Sequence, residues 1–264
     1  MSCASASLAV WSAAWIAGSA AADDVLDALA PWSEAHDVVA ADAAVAATLD
    51  LPTLDCAGSG LVVGLGVIRR RVVPGQPLDA RVVLPAPGDV RGLPGSTALR
   101  EGAMTAGECV VLADAGLALV PSEIADGVLR WTVHLAAAVP PSAHPSLPDA
   151  EHELRTLVRD AASTLASMDV ARPRRGVREE IAASLRRRPR PSWPSGTPGR
   201  PLRVLAHADE VEAILVAASG DDPGAALTSP AALARADALR PLATAVRAAR
   251  VAAVAETVRV LTRA

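Results

Sequence analysis

The sequence predicts an α+β fold with a helical N-terminal segment, a small, mostly antiparallel central sheet and a helical C-terminal half. Apolar residues recur at helical spacing up to residue 49, and short β-branched runs between turns occupy residues 61–135. Helical spacing then returns. Because helices come first, strands next and helices last, an α+β arrangement is favoured over alternating strands and helices. The Pro-rich stretch 139–150 separates residues 1–138 from residues 139–264, which form two domains or two parts of a single one.

The first helix is predicted over residues 4–17. Leu8, Trp11 and Trp15 stand at i, i+3 and i+7, the spacing of a buried helix face. The stretch has the apolar character of a signal peptide, but the first arginine of this lysine-free chain is Arg69, so the basic region of a signal sequence is missing. It is also short for a membrane span. We therefore interpret it as a core helix and expect a cytoplasmic protein.

Two more helices are predicted before the sheet. Asp23 or Asp24 caps the second helix, and Pro31 ends it. An Ala-rich third helix is predicted over residues 33–49. The segment LDLPTLDCAGSG that follows has the Pro, Gly and Ser content of a connector.

Four to six short strands are predicted from six β-rich runs. In the last run Trp131 and Val133 alternate with Thr132 and His134, so that one face is apolar and the other polar, as an antiparallel strand requires. A short helix over residues 97–103 interrupts the sheet. The runs are LVVGLGVI, RRVV, ARVVL, ECVVL, LALV and LRWTVHL.

The C-terminal half is predicted to contain four helical stretches. EHELRTLVRDAASTLASMDV carries an apolar stripe, and VREEIAASLRRR repeats the pattern. Residues 189–201 form a long Pro-rich loop, and residues 202–218 and 229–263 are helical again. Pro241 is expected to break the last helix, because proline lacks the backbone N–H that a helix interior uses.

Composition excludes several kinds of catalysis. The chain contains no Lys, Tyr, Phe or Asn, and all 25 basic residues are Arg, so Schiff-base, P-loop-lysine and tyrosyl chemistry are excluded. Cys3, Cys56 and Cys109 are odd in number and widely spaced, and the five histidines lack metal-ligand spacing. No serine lies in a GxSxG motif. We predict no catalytic residue, no metal and no cofactor.

The glycine run GSGLVVGLG, residues 58–66, invites a dinucleotide-binding interpretation. That motif requires a buried strand before the glycines and a helix after them, because the helix N-terminus binds the pyrophosphate. No buried strand is predicted before the run, and the β-branched LVVGLGVI predicts a strand after it. We therefore predict no phosphate site and interpret Gly64 and Gly66 as positions of close packing in a strand.

The stretch LPAPGDVRGLPG, residues 84–95, predicts two rigid turns. Both APGD and LPGS place Pro at i+1 and Gly at i+2, the signature of a type II turn. Asp89 and Arg91 lie between the turns. Because loops fixed by a scaffold often hold ligands, this pair is a candidate small-ligand or enzyme site. The alternative is an ion pair that locks the loop.

An arginine cluster is the strongest functional signal. Arginine forks suit phosphate and carboxylate groups, and the nearby Trp193 could stack on a partner. Glu179 and Glu180 in the first turn of a helix, and arginines in its last turn, compensate the helix dipole, which explains part of the cluster. The cluster consists of Arg172, Arg174, Arg175, Arg178, Arg186, Arg187, Arg188 and Arg190.

We single out Arg172, Arg174, Arg175, Arg178 and Trp193 as candidate partner-binding residues. Three interpretations are open: a solvated helix, a surface for an acidic protein or a second copy, and a surface for nucleic acid.

Charge asymmetry decides which partner we favour. Residues 1–60 carry eight carboxylates and no arginine, and the net formal charge is −4, which would repel nucleic acid away from the cluster. We therefore predict a non-catalytic protein-interaction or adaptor protein that binds a protein or another copy of itself, with no membrane partner. A nucleic-acid-associated protein that uses residues 172–190 is the alternative.

Three segments resemble a known family. WSAAWIAGSAAADDVLDAL, VVLPAPGDVRGLPG and LALVPSE are similar to segments of an uncharacterised protein family of high-GC Gram-positive bacteria. The resemblance runs through most of the chain and is weakest in the Pro-rich arginine loop. It implies a cytoplasmic location and brings no activity, cofactor or catalytic residue.

Overall fold

A computed structural model describes residues 3–141, 144–167, 176–219 and 230–263. Its contacts divide the chain into two compact units. The sheet unit draws its residues from 2–143, 189–198 and 254–264, and the helical unit draws its residues from 144–188 and 199–253.

The described residues form nine helices and six strands, so the predicted α+β class is confirmed. The helices are α1 (Ala4–Ile16), α2 (Ala22–Leu29), α3 (Ala43–Leu49), α4 (Leu61–Arg71), α5 (Thr97–Ala106), α6 (Leu147–Ser167), α7 (Val177–Arg187), α8 (Gly199–Ser219) and α9 (Pro230–Leu261). The strands are β1 (Ala35–Ala40), β2 (Ser59–Gly60), β3 (Ala80–Val83), β4 (Cys109–Leu112), β5 (Leu117–Ala125) and β6 (Val128–Leu135).

The strands form one sheet in the order β2-β1-β6-β5-β4-β3. Four of its pairings are antiparallel, and β1 pairs with β6 in parallel, with Val38 opposite Trp131. The central sheet is therefore mostly antiparallel, as predicted.

Both faces of the sheet are covered around β4. On one face, Leu99 and Ala103 of α5 belong to the same buried cluster as Val111 of β4. Val110 and Leu112, which alternate with Val111 along the strand, are fully buried as well.

Helix α1 contacts β3, β4 and β5 and is a core helix, as its spacing predicted. Leu8 and Trp11 are buried, and Trp15 is half-buried. Every residue from Ala4 to Ala14 is buried, so α1 contributes nearly its whole surface to the core of the sheet unit.

The predicted third helix over residues 33–49 is wrong in its first half, which forms β1. The Val38–Val39 pair suits a strand, and its neighbour β6 supplies backbone partners over six residues. The helix begins only at Ala43, where the Asp42 side chain accepts a hydrogen bond from the Val45 N–H (2.8 Å).

LVVGLGVI and the two arginines of RRVV form helix α4, so the prediction of two strands there is wrong. Leu61, Leu65 and Ile68 are buried at i, i+4 and i+7, a helical stripe that outweighs the β preference of the valines. Gly64 lets α4 approach β1, because a Cβ there would lie 3.1 Å from Cγ2 of Val38. Close packing at Gly64 is thus present, but in a helix.

Helix α9 continues through Pro241, so the predicted break is wrong. Pro241 lies on the exposed side, where water can satisfy the carbonyl that loses its helical donor. Leu242, Ala245 and Val246 are buried directly after it and pack that part of the helix into the core of the helical unit.

Candidate functional site

The first predicted turn of the 84–95 loop is present. Gly88 has φ +83°, and Ala86 and Asp89 exchange backbone hydrogen bonds of 2.9 and 2.8 Å. These are the features of a type II turn with glycine at its third position.

The second turn is displaced from its predicted position. Gly95 does not have a positive φ, whereas Gly92 has φ +88° and the Leu93 N–H donates to the Val90 carbonyl at 3.2 Å. A Cβ at Gly92 would also lie 3.3 Å from Cγ2 of Val83, so the β3 strand and the loop are close here. Glycine is therefore needed at 92 rather than at 95.

Asp89 and Arg91 bond to each other. Nε and Nη2 of Arg91 donate to Oδ1 and Oδ2 of Asp89, both at 2.9 Å, and the hydrogen bonds raise the pKa of Arg91. The Arg91 side chain is 72 % exposed. A ligand at this pair would have to displace one partner from the other, so the geometry is that of an ion pair that stabilises the loop.

The described arginines of the cluster lie in three environments. Arg178, Arg186 and Arg187 are exposed on α7, beside the exposed Glu179 and Glu180, and we call the three arginines the basic face. Arg190 is exposed in the segment 189–198 of the sheet unit. Arg172, Arg174 and Arg175 lie outside the described residues.

Arg188 is turned into the helical unit instead. Its Nη1 donates to the Asp209 carbonyl oxygen at 2.9 Å, and its Nη2 lies 3.3 Å from Oε2 of Glu212. Arg250 of α9 completes this group, which we call the Arg250 network: its Nη1 and Nη2 donate to the two Glu212 carboxylate oxygens at 2.9 Å, and Nη2 also bonds Asp209. Arg188 is therefore a structural residue.

The Arg250 network was not foreseen from the sequence. Burial alone would raise the pKa of Glu212, but that pKa is lowered to about 2, and the hydrogen bonds and charge of Arg250 are the largest causes of the lowering. Asp209 and Glu212 stand at i, i+3 on α8, a spacing that is equally common on solvated helices, so only the tertiary structure distinguishes this pair.

Trp193 is half-buried in the segment 189–198, which belongs to the sheet unit. Ser192 in the same segment accepts a hydrogen bond from Nε1 of Trp11 at 3.0 Å, and Gly196 has φ +85° in the turn that follows. Trp193 thus belongs to a segment tied to α1, whereas Arg178 belongs to the helical unit.

The acidic N-terminal region is exposed. Of its eight carboxylates, Asp37 pairs with Arg130 (Nη2 to Oδ2, 2.6 Å). The other members are exposed, and we call them the acidic front. They are Asp23, Asp24, Asp27, Glu34, Asp42, Asp50 and Asp55.

The buried cysteines are poor nucleophiles. Burial raises the pKa of Cys3 well above its usual value and that of Cys109 to about 12. Cys56 is exposed.

The two histidines of the sheet unit with resolved shifts are held neutral. Burial lowers the pKa of His36, whose Nδ1 accepts from Nε1 of Trp131 at 3.1 Å while Nε2 faces the Leu29 carbonyl at 3.0 Å. Burial also lowers the pKa of His134, against a smaller opposing effect of Asp42. Among the described residues no group of three His, Cys, Asp or Glu side chains could hold a metal ion.

The glycine run does open a helix, contrary to the reason given above against a dinucleotide site. Gly60 is the N-cap of α4, directly after β2. However, a Cβ at Gly58 would fall 1.4 Å from Oδ1 of Asp37, so a carboxylate lies against the glycines. That carboxylate is the one paired with Arg130, and the absence of a phosphate site stays a prediction.

Taken together, the fold and these surfaces define an α+β protein with exposed arginines on α7 and exposed carboxylates in its first 60 residues. No helix in the described ranges is long and apolar enough to cross a membrane.

Comparison with known proteins gives the family. Residues 5–146 match the model "Rv1486c-like protein, N-terminal domain", and residues 148–251 match "Rv1486c-like protein, C-terminal domain". The chain belongs to the Rv1486c-like family. The predicted resemblance to a family of high-GC Gram-positive bacteria is thereby confirmed.

Three curated relatives align along nearly their whole length. The chain is 39 % identical to "Uncharacterized protein Rv1486c" of Mycobacterium tuberculosis over 96 % of both chains. It is 37 % identical to "Uncharacterized protein ML1804" of Mycobacterium leprae and 35 % identical to "Uncharacterized protein MAV321" of Mycobacterium avium, over 96 % of this chain and 97 % of each relative. No solved structure matches the chain.

Proposed function

We propose that this protein is a non-catalytic, cytoplasmic interaction protein. Its basic face on α7 binds a carboxylate-rich protein surface, and the partner that fits best is the acidic front of a second copy. The observation that carries the proposal is the exposure of Arg178, Arg186 and Arg187 in a chain whose first 60 residues hold no arginine.

The chemistry of the two surfaces is complementary. A guanidinium group presents a planar fork of donors that matches a carboxylate, and α2 presents Asp23 and Asp27 one helical turn apart on its exposed side. Each exposed ion pair contributes only about 0–1 kcal/mol to the free energy of binding, so a contact built from these pairs is weak and sensitive to salt.

The same charges favour a protein partner over nucleic acid. The acidic front would repel a polyanion that approached the molecule, whereas it would attract the basic face of another copy. Binding to nucleic acid is therefore an outcome that the test must be able to detect.

The test compares two triple variants by sedimentation velocity at several concentrations. Arg178→Ser/Arg186→Ser/Arg187→Ser removes the basic face, and Arg69→Ser/Arg70→Ser/Arg100→Ser removes three other exposed arginines and gives the same net charge. We expect the first variant to sediment as a monomer at concentrations at which the parent and the control associate.

Equal association of the two variants would contradict the proposal. A salt-dependent affinity for a generic DNA duplex that disappears only in the first variant would replace it with the nucleic-acid interpretation.

A further inference from the structure

A histidine and a tryptophan are hydrogen-bonded at the junction of α2, β1 and β6. Nε1 of Trp131, on β6, donates to Nδ1 of His36, on β1, at 3.1 Å, and the two ring planes are inclined by 24°. An indole nitrogen is only a donor, so Nδ1 of His36 carries a lone pair rather than a proton. The small angle between the rings fits this bond, because that lone pair lies in the plane of the imidazole.

The other ring nitrogen shows where the imidazole carries its proton. Nε2 of His36 lies 3.0 Å from the carbonyl oxygen of Leu29, the last residue of α2. A carbonyl oxygen only accepts, so Nε2 donates, and His36 is the neutral tautomer with its proton on Nε2. One imidazole therefore joins the end of α2 to β6, as a donor on one side and an acceptor on the other.

Protonation of His36 is incompatible with this arrangement. A second proton would occupy Nδ1 and face the indole N–H of Trp131, so that two donors would meet. Trp131 is fully buried, and its N–H would be left without an acceptor in the interior. The ring of His36 is only half-buried, and the charged imidazole would gain hydration by turning toward solvent.

The charged groups around His36 do not offset this cost. Burial lowers the pKa of His36, the Leu29 carbonyl raises it less, and no charged side chain of the described residues is among the causes. On the two strands, the titratable and charged groups are Glu34 and Asp37, and Arg130 and His134. On the neighbouring helices they are the carboxylates of α2, the arginines in the last turn of α4, and Asp42 and Asp50 at the ends of α3.

We propose that His36 is a proton-sensitive latch at the junction of α2, β1 and β6. The latch is closed while the imidazole is neutral, and it opens when a proton on Nδ1 breaks the bond to Trp131. Residues 30–34, which connect α2 to β1 beside the latch, are exposed or half-buried, so little packing opposes their movement. The inference is independent of the proposed function, because it concerns neither α7 nor a partner.

The latch makes local opening depend on pH in one direction. A free imidazole has a pKa of about 6.5, and the pKa of His36 in the closed form is lower, so opening takes up a proton below pH 6.5. The equilibrium constant for opening should therefore be constant above about pH 7.5. Below about pH 6.5 it should rise by up to about tenfold for each unit of pH.

Native-state hydrogen exchange measures this constant for residues 30–37 and 128–133. Mass spectrometry follows the exchange from about pH 7.5 to about pH 5, with correction for the intrinsic exchange rate. His36→Gln offers an acceptor and a donor at every pH, and His134→Gln is the matched control, because burial lowers the pKa of His134 as well. We expect the rise in the parent and in His134→Gln, and a constant value in His36→Gln.

Three results would overturn the inference: no rise in the parent, a rise that persists in His36→Gln, or a rise that is lost in His134→Gln. Circular dichroism checks that both variants fold. If His36→Gln does not fold, the imidazole nitrogen resonances of the parent decide. The latch requires a proton on Nε2 alone at about pH 7.5 and a pKa of His36 below 6.5, and a proton on Nδ1 at that pH would contradict it.

Discussion

Arg250 retains its charge in the interior because carboxylates of α8 face it. Its guanidinium reaches both oxygens of Glu212 and also bonds Asp209, and Arg188 reaches the same two residues from the end of α7. A buried charge with its partners in place contributes little net stability, but removal of one partner leaves the other uncompensated at a large cost. The network thus makes the packing of α7, α8 and α9 depend on these partners.

This dependence predicts how acid affects stability. The folded-state pKa of Glu212 is about 2, against an ordinary value of 4.5, so its contribution is present above pH 4.5 and is lost as pH falls toward 2. Glu212→Gln removes this contribution and should lower the free energy of unfolding at pH 7 by about 1.5–3 kcal/mol. Its urea midpoint should therefore fall less than that of the parent between pH 5 and pH 2.5.

Glu256→Gln is the control, because Glu256 pairs with Arg259 at the surface of α9. Its midpoint should follow the parent across the same range of pH. Parallel curves for the parent and Glu212→Gln would show that the Arg250 network does not couple to the acid transition.

At the scale of secondary-structure elements, the sequence correctly predicts the helices and strands in which local conformational preference agrees with the contacts made in the fold. The runs ARVVL, ECVVL, LALV and LRWTVHL form strands, and α1, α2 and α5 form at their predicted positions. The predicted cap of α2 is wrong, because its N-cap is Ala21, whose N–H donates to the Asp24 side chain at 2.7 Å. The wrong element types fall at β1 and α4, where valines and alanines carry mixed signals, and the predicted break at Pro241 is a further error inside a correctly predicted helix. There the secondary structure depends on contacts with residues distant in sequence. Strand β6 pairs with β1, and α4 packs closely on Val38 of β1 at Gly64.

The two glycines of α4 provide a test of that packing. A Cβ at Gly66 would meet only Nη1 of the flexible Arg70 at 3.5 Å, so Gly66→Ala should stabilise the protein by up to about 1 kcal/mol through helix propensity. At Gly64 the Cβ would meet fully buried Val38 at 3.1 Å, and Gly64→Ala should be less stable than Gly66→Ala and no more stable than the parent. Urea midpoints of the two variants measure the difference. Equal stabilisation by both would mean that α4 does not approach β1 closely.

Whether the pairing of a candidate residue could be predicted depends on how far its partner lies along the sequence. Asp89 and Arg91 are two residues apart beside a turn, so their pairing follows from local geometry and was one of the two predicted interpretations. Arg188 looked like one more member of a surface cluster, because its partners Asp209 and Glu212 are more than 20 residues away. Local sequence predicts charge content well, but it does not tell which charges are paired in the fold.

At the scale of the whole molecule, some charged side chains are paired within the fold and others are exposed. Asp37, Asp89, Arg91, Arg130 and Arg188 are engaged within the chain. The acidic front and the basic face remain exposed. We expect the attraction between these unlike surfaces of two copies to outweigh the repulsion that a net charge of −4 produces.

The salt dependence of self-association tests this account most directly. Exposed ion pairs are screened when the Debye length shortens from about 14 Å near 50 mM salt to about 4 Å near 500 mM. In sedimentation velocity of the full chain, we predict species larger than a monomer that grow with concentration at the lower salt and revert to monomer at the higher. A sedimentation coefficient that stays at the monomer value at both salt concentrations, over the whole range of protein concentration, would contradict the central claim.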